Sequence, residues 1–563
     1  VTRDPDNAVY YRGEVGGLVV GGFEAEPLPW CVDGVPWEFS AELLEPNFDQ
    51  FEPLSTNAMR RTPCLKSAGI KEMINGPDGY SPDGAYILGP APELRNFYVA
   101  AGMNCYGIAG AGGVGRALAE WIIDGEPSMD LWSLDIRRFG APQFRSTKLV
   151  VDRCAEYYPK HYGIAWPMYA HRSARGLRRS PLYDCLAAKR AVFGEKNGWE
   201  RVQWLAPEGT EPREEMTFER PNWHDAVGEE VRAIRDGVAL LDQSSFSKIE
   251  VRGPGALDAL QQLSTRDIDR PTGTLSYTQM CNERGGIECD LTIARIDEDR
   301  FYIVTGTSFL AHDLDWISRH LPRDGSAMAT DVTSSFAVVN LGGPRSRELL
   351  ERACDDDVSH EGFPFARCRW IHIGCAPALA LRVSYHGELG WELHIPTEFA
   401  AHVYETLWSA GEDLGIRDVG YRALESCRLE KGYVYWSADV TPDDNPYEAG
   451  LGFNVHLDKG DFVGRDALTR VKKEGPRRKL CCFTLEKETQ LFGTEPILHD
   501  GKVLGIVTSG GFGHHVEKTI AYGYLPTEET GHANYAIAAF GVEVAATRQP
   551  RAVYDPGRER VLS

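Results

Sequence analysis

Residues 281–295 read CNERGGIECDLTIAR. Polar residues followed by Gly285 and Gly286 predict a turn, because glycine takes positive φ without steric cost. The stretch behind it, IECDLTIARI, predicts a strand. Alternation sets Asp290 and Thr292 on one face and Cys289 and Leu291 on the other. An acid in an otherwise apolar strand is exposed, paired or functional, and strand position alone favours an ordinary solvated or salt-bridged Asp290.

From residue 206 onward, short strands alternate with amphipathic helices. VRAIRDGVALLD (231–242), ALDALQQLS (256–264) and SRELLERAC (346–354) carry apolar residues three and four apart, the helical spacing. FYIVTGT (301–307), SFAVVNLG (335–342) and LALRVSYHG (379–387) read as strands. After the break KKEGPRRK (472–479), the strand candidates KLCCFTLEK, KVLGIVTSGG and TIAYGYL predict a small β barrel. Residues 1–140 are rich in Gly and Pro. Residues 141–205 are basic and aromatic (RSARGLRRSPLYDCL) and read as a small helical connector. The expected division is therefore 1–140, 141–205, 206–472 and 473–563, an α+β multidomain chain.

Composition bounds the function. Hydrophobic residues at 42% and charged residues at 25% are an ordinary globular balance. The net charge of -22 argues against nucleic acid held on a basic surface, while leaving room for a local basic pocket around a small anion. The longest apolar runs, such as CAPALALRV, fall short of the roughly 18–20 residues of a membrane span. The opening VTRDPDNAVYY is polar, without a secretory signal or an initiating Met. It reads as a cut inside a larger protein or a processed end. The thirteen cysteines lack a CxxC pair or regular spacing, so no metal site and no disulfide framework is expected.

Two further clusters carry candidate chemistry. LRVSYHGELGWELHIP (381–396) holds Tyr385, Glu388 and Glu392; one carboxylate can accept both hydrogen bonds of a pterin's donor edge, and a tyrosine ring can cover a flat heterocycle. GYRALESCRLEKGYVYWSADVTPDDNPYEAGL (420–451) places Arg428 and Lys431 near Tyr433, Tyr435 and Trp436. These suit an anionic tail and an aromatic ring, or an ordinary charged helix face. Near the other end, residues 110–115 read GAGGVG, a literal GxGxxG between the strand candidate NFYVAAG and the helix candidate RALAEWIID. No second strand with an acid follows, so a dinucleotide pyrophosphate site is rejected. Close strand-to-helix packing remains open, as does a helix N-terminus facing an electron-rich ligand.

In order and spacing, CNERGGIECDLT, SYHGELGWELH, LEKGYVYWSADVTPDDNPYEAGL and RRKLCCFTLEKETQLFGTEPILHDGKVLGIVTSGGFG resemble the aminomethyltransferase of the glycine cleavage system and, more closely, its fused relatives. The stretch from EVGGLVVGGFEAEPLPW to AGMNCYGIAGAGGVGRALAEWIIDGEP resembles the late part of the flavin module of sarcosine and dimethylglycine dehydrogenases. FGTEPI and YDPGRERV are most similar to the sarcosine enzyme.

The resemblance implies oxidative demethylation: a flavin oxidises the N-methyl group of sarcosine or a related N-methylglycine, and tetrahydrofolate takes up the one-carbon unit. It implies FAD, with its site incomplete in this chain, and tetrahydrofolate. Expected partners are a methylamine substrate and an electron acceptor, either a flavoprotein or oxygen. The Rossmann segment that grips FAD would come from upstream or from a partner chain. Asp290 would sit beside the reacting folate nitrogen as the catalytic carboxylate. Glu392 would hold the pterin edge, with Tyr385 and Tyr277 nearby, and Arg428 would meet the acid tail. Gly107, Gly110, Gly112, Gly113 and Gly115 would border the flavin. Tyr10 aligns with a substrate-side position, and equally fits a core aromatic. The expected compartment is the cytoplasm in a bacterium or the mitochondrial matrix in a eukaryote. The alternatives are a folate-dependent transferase without flavin chemistry and a non-catalytic regulatory homologue. Cys289, His386 and Cys427 depart from the commoner family residues.

Overall fold

The computed structural model describes residues 1–140, 142–163 and 165–563. Ala141 and Ile164, both inside the expected connector, lie outside the described residues. The chain divides into two compact units, Val1–Arg175 and Gly176–Ser563. The expected 141–205 connector is thus split between them. Its second half is only briefly helical, at Tyr183–Ala188, and continues as a hairpin of Ala191–Lys196 and Trp199–Leu205. The cause is Asn197-Gly198, both at positive φ, which forms the two-residue turn that suits strand twist.

In the first unit, Thr2–Asp4, Val9–Glu14 and Gly17–Gly22 form an antiparallel sheet. Val9 and Tyr11 from that sheet pack on Leu54 and Ala58 of helix Phe48–Arg61. A hairpin of Ile87–Pro90 and Tyr98–Ala101 precedes helix Gly107–Asp124.

The second unit is built on two sheets. In spatial order, the first contains Leu275–Cys281, Ile287–Asp297, Arg300–Thr305, Ser247–Arg252 and Met328–Asp331. The second contains Cys368–Ile373, Ala376–Leu381, Gly390–Pro396, Phe336–Gly342, Ala239–Asp242 and Arg417–Asp418. The strand Ala239–Asp242 corrects the reading of 231–242 as all helix: the helix His224–Asp236 stops before Gly237, and the buried run Val238–Leu241 behind it enters that strand. Apolar runs of that length do not distinguish helix from strand by periodicity.

Each sheet buries both faces. Met280, Cys289, Leu291 and Ile293 of the first sheet pack on Leu260 and Leu263 of a helix. Val339, Leu341, Trp391 and Leu393 of the second pack with Leu349 and Leu407 of others. The opposite faces meet each other, Leu275, Ala294, Tyr302 and Val304 against Leu379 and Leu381. Six strands after residue 477 close into a barrel around Phe483, Ile497, Leu525 and Ile537, as the sequence predicts. The whole is a multidomain α+β chain.

Candidate functional site

The turn of the opening motif fixes where Asp290 stands. Gly285 takes φ +85°, and Gly286 passes so close to Pro442 that a Cβ would lie 1.9 Å from its carbonyl oxygen. Beyond the turn, Gln279 pairs with Asp290 and Tyr277 with Thr292 across antiparallel strands. Strand alternation turns all four toward the second sheet, the face on which Leu275 and Ala294 meet Leu379 and Leu381. Tyr277, Asp290 and Thr292 keep partial exposure while Thr278, Leu291 and Ile293 between them are buried. The inner face therefore opens at this point.

On the second sheet, Glu392 lies opposite Asn340 in an antiparallel pair. Its chain neighbours Trp391 and Leu393 enter the core, so Glu392 faces the first sheet. Tyr302 of the first sheet hydrogen-bonds His394, two residues along, at 2.9 Å. Asn340 and Gln243 are buried on this inner face, and their amide nitrogens have no hydrogen-bond partner among the described residues. Buried donors of this kind are scarce in native proteins and suit a polar ligand. A heterocycle with ring nitrogens and carbonyl groups fits them, with the Glu392 carboxylate to accept from its amino edge.

Burial lifts the Asp290 carboxyl to about 6, helped by the nearby charge of Asp313 and opposed by donors from Gln279 and Tyr277. Gln279 Nε2 donates to Asp290 Oδ1 at 2.7 Å. Burial, then the Asp290 charge, holds the Tyr277 phenol well above its ordinary value, so it stays a donor. Near neutrality Asp290 can both hold and release a proton, as a general acid–base group must.

The remaining candidates are tied to partners within the fold. Tyr385 spends its hydroxyl on the Val434 carbonyl at 2.8 Å and lies 5.9 Å from the near-parallel ring of Tyr433. Arg428 is 2% exposed. Its guanidinium is committed to Glu425, to Asp439 at 2.7 Å and to Ser509 at 3.2 Å, so an anionic tail would have to displace one of them. Glu388, grouped with Tyr385 in the sequence, instead pairs with fully buried Arg235 at 2.9 Å. Glu430 completes that clamp at 2.8 Å. Lys431 binds Asp555 at 2.5 Å. Much of the 420–451 cluster therefore docks the helix Tyr421–Lys431 on the barrel and the C-terminal segment. His386, buried beside Arg235 and Arg382, is pushed down to about 3 and is neutral.

Behind Asp290, donor atoms of Cys289, His312 and Asp313 lie within 4.8 Å of one another. The imidazole bonds Asp313 at 2.9 Å and faces Glu288 at 3.3 Å. The group is a histidine spanned by two carboxylates, and we assign no metal to it.

In the first unit, the glycine run lies within helix Gly107–Asp124 rather than ahead of it. The N–H of Gly110 already bonds the Tyr106 carbonyl, so the free donors end before Gly110. A Cβ on Gly110 would strike Tyr86 at 2.8 Å, while one on Gly112, Gly113 or Gly115 would meet nothing within 4 Å. Internal packing thus accounts for Gly110 alone. The other three form a bare helix surface, which fits close approach of a flat ring system and supplies no hydrogen bonds to it. Tyr10 lies over Gly21 on the neighbouring strand.

Residues 1–121 match the FAD dependent oxidoreductase family and 124–180 its central domain. Residues 182–459 match the GCVT N-terminal domain, and 478–555 the glycine cleavage T-protein C-terminal barrel domain. The 4-methylaminobutanoate oxidase (formaldehyde-forming) of Paenarthrobacter nicotinovorans is 38% identical over 100% of this chain and 68% of its own length. Mitochondrial sarcosine dehydrogenase of Homo sapiens is 35% identical over 99% of this chain and 66% of its own. The chain thus spans about two thirds of the length of these relatives. The solved glycine cleavage system aminomethyltransferase T from Bartonella henselae covers 68% of this chain and 99% of its own at TM-score 0.58 and 24% identity, a likeness of fold. No helix among the described residues is long and apolar enough to cross a membrane.

Proposed function

The chain belongs to the sarcosine and dimethylglycine dehydrogenase family, in which an FAD dependent oxidoreductase is fused to an aminomethyltransferase-like part; on that premise we propose that the complete protein demethylates an N-methylated amino acid and passes the carbon to tetrahydrofolate. Flavin, when bound, would supply the two-electron oxidation of the N-methylamine. Sarcosine or a related N-methylglycine is the substrate of this reading, and a flavoprotein or oxygen takes the electrons.

The observation that carries the reading is the inner face where Asp290 and Tyr277 stand on one sheet and Glu392, Asn340 and Gln243 on the other. Glu392 and the two amides supply acceptor and donors to a pterin edge. Tyr277 and Tyr385 bound it with aromatic surface. Asp290 takes the proton from the attacking folate nitrogen, or positions that nitrogen, which is worth roughly 10²–10⁴ in rate. Arg428 contributes through the fold around the site. The test is binding of tetrahydrofolate to the purified chain and to Glu392→Gln. Loss of about tenfold or more in affinity, with unchanged stability, supports the assignment; equal affinity removes Glu392 from the site.

A second reading draws on the 4-methylaminobutanoate oxidase relative. Both substrates present a secondary N-methylamine and a carboxylate, at different separations. Comparing the complete protein's turnover of sarcosine and 4-methylaminobutanoate decides between them.

A further inference from the structure

Asp290 is the end of a hydrogen-bonded chain. Arg266 Nη1 donates to Asn454 Oδ1 at 2.9 Å. Asn454 Nδ2 donates to Gln279 Oε1 at 3.2 Å. Gln279 Nε2 donates to Asp290 Oδ1 at 2.7 Å. Asn454 and Gln279 are both fully buried.

The direction of this chain is forced. A guanidinium has donors and no acceptor, so the group of Asn454 that faces it is the carbonyl oxygen. That turns the Asn454 nitrogen toward Gln279, which must answer with its own oxygen. The Gln279 nitrogen is then left facing Asp290. Each amide could sit either way round by itself, and Arg266 selects one orientation for both. An oxygen that receives a short N–H bond is less basic for it, so the chain holds Oδ1 as an acceptor.

We propose that Arg266, Asn454 and Gln279 are positioning residues for Asp290, a one-way donor chain that fixes its carboxylate by keeping an N–H donor, and not an amide oxygen, against Oδ1. This rests on the reading of Asp290 as the folate-side carboxylate. With the chain cut, the Gln279 amide is free to turn and present its oxygen to Asp290. Two acceptors then face each other, which favours the protonated acid and moves its titration upward.

The groups facing Asp290 are otherwise few. Tyr277 donates to it from the paired strand, with Tyr385 beyond, and the Asp313 charge opposes its ionisation from the neighbouring helix. Near the far end, His456 is held below its ordinary value by burial and by Arg266, and Arg270 and Arg558 add positive charge.

The experiment measures the affinity of the full chain for tetrahydrofolate from pH 5 to 9. Asn454→Leu leaves every charge in place and cuts the link; Asn454→Ser, too short to reach both partners, is the second variant in case the first does not fold. The expected result is a midpoint raised by about one pH unit, a tenfold change in the protonation equilibrium. Arg266→Lys, still a donor without acceptors, should keep the wild-type midpoint. Weaker binding at every pH with an unmoved midpoint in both Asn454 variants would overturn the proposal and leave the chain a structural feature. If Asp290→Asn keeps the wild-type pH dependence, the assignment of Asp290 itself fails, an outcome distinct from the first.

Discussion

Gly286 and the carbonyl of Pro442 touch so closely that no side chain fits between them: a Cβ on Gly286 would sit 1.9 Å from the oxygen. The contact ties the turn before Asp290 to the loop that also takes a hydrogen bond from Ile287 N to Asp444 O at 3.0 Å. Trp436 Nε1 donates to the Ile287 carbonyl at 3.0 Å from the same side. We therefore expect Gly286→Ala to cost about 2 kcal/mol or more in denaturant unfolding. Glu283→Ala, at an exposed position of the same turn, should change little.

Burial makes ionisation of Asp290 costly to the fold. Its folded carboxyl titrates near 6, above the 3.8 of an ordinary aspartate. A raised acid favours the folded state below the lower value, and that contribution is lost as pH rises through the higher one. Asp290→Asn removes the ionisation cost, so it should be more stable than wild type at pH 8 by about 3 kcal/mol and nearly equal at pH 4. Chemical denaturation at the two pH values checks both the sign and the window. An advantage at pH 4 that vanishes at pH 8 would refute it.

Arg235 is the buried cation of a clamp, with Glu388 at 2.9 Å and Glu430 at 2.8 Å. Arg235→Met takes the shared cation from both carboxylates, leaving Glu388 to Tyr554 and to Arg560 at 3.6 Å and Glu430 to the His515 N–H. A loss of about 3–5 kcal/mol follows from the uncompensated charge. Arg235→Lys should recover only part of it, because one ammonium cannot span both acids as the guanidinium fork does. Full recovery in thermal melts would show that charge alone matters there.

Substitutions at Gly113 test the proposed flavin surface apart from folding. Its side-chain direction is open, so Gly113→Ala should stabilise helix Gly107–Asp124 by about 1 kcal/mol. In the complete protein Gly113→Leu should lower FAD content, measured by flavin absorbance per chain. Undiminished flavin would remove this helix surface from the proposed site.

The repeating pattern of apolar residues carried most of the architecture. Alternation in IECDLTIARI placed Asp290 on the correct face, and the Gly-broken strands after residue 477 announced the barrel. Other features needed tertiary information. VALLD has no period that separates strand from helix, and only its pairing with Phe336–Gly342 makes it a strand. The Asn197-Gly198 hairpin carried a legible turn signal, masked by the basic, aromatic composition around it. Arg428 and Glu388 looked like ligand groups because charged residues near aromatics suit a binding pocket. The structure pairs them internally, with Asp439 and Arg235, partners 11 and 153 residues away in sequence. Asn340 and Gln243 were missed for the opposite reason: an amide in or just past an apolar strand gives no signal in sequence, and only among the described residues does its nitrogen prove to lack a partner.

On the proposed function, Asp290 serves the capture of the one-carbon unit and not its release from the amine. The direct measurement follows the complete flavin-loaded protein turning over sarcosine with tetrahydrofolate present, assaying free formaldehyde and folate-bound carbon together. For Asp290→Asn we expect wild-type amine oxidation, free formaldehyde in place of the folate product, and unchanged flavin content. Folate-bound carbon formed at the wild-type rate, with no rise in formaldehyde, would contradict it.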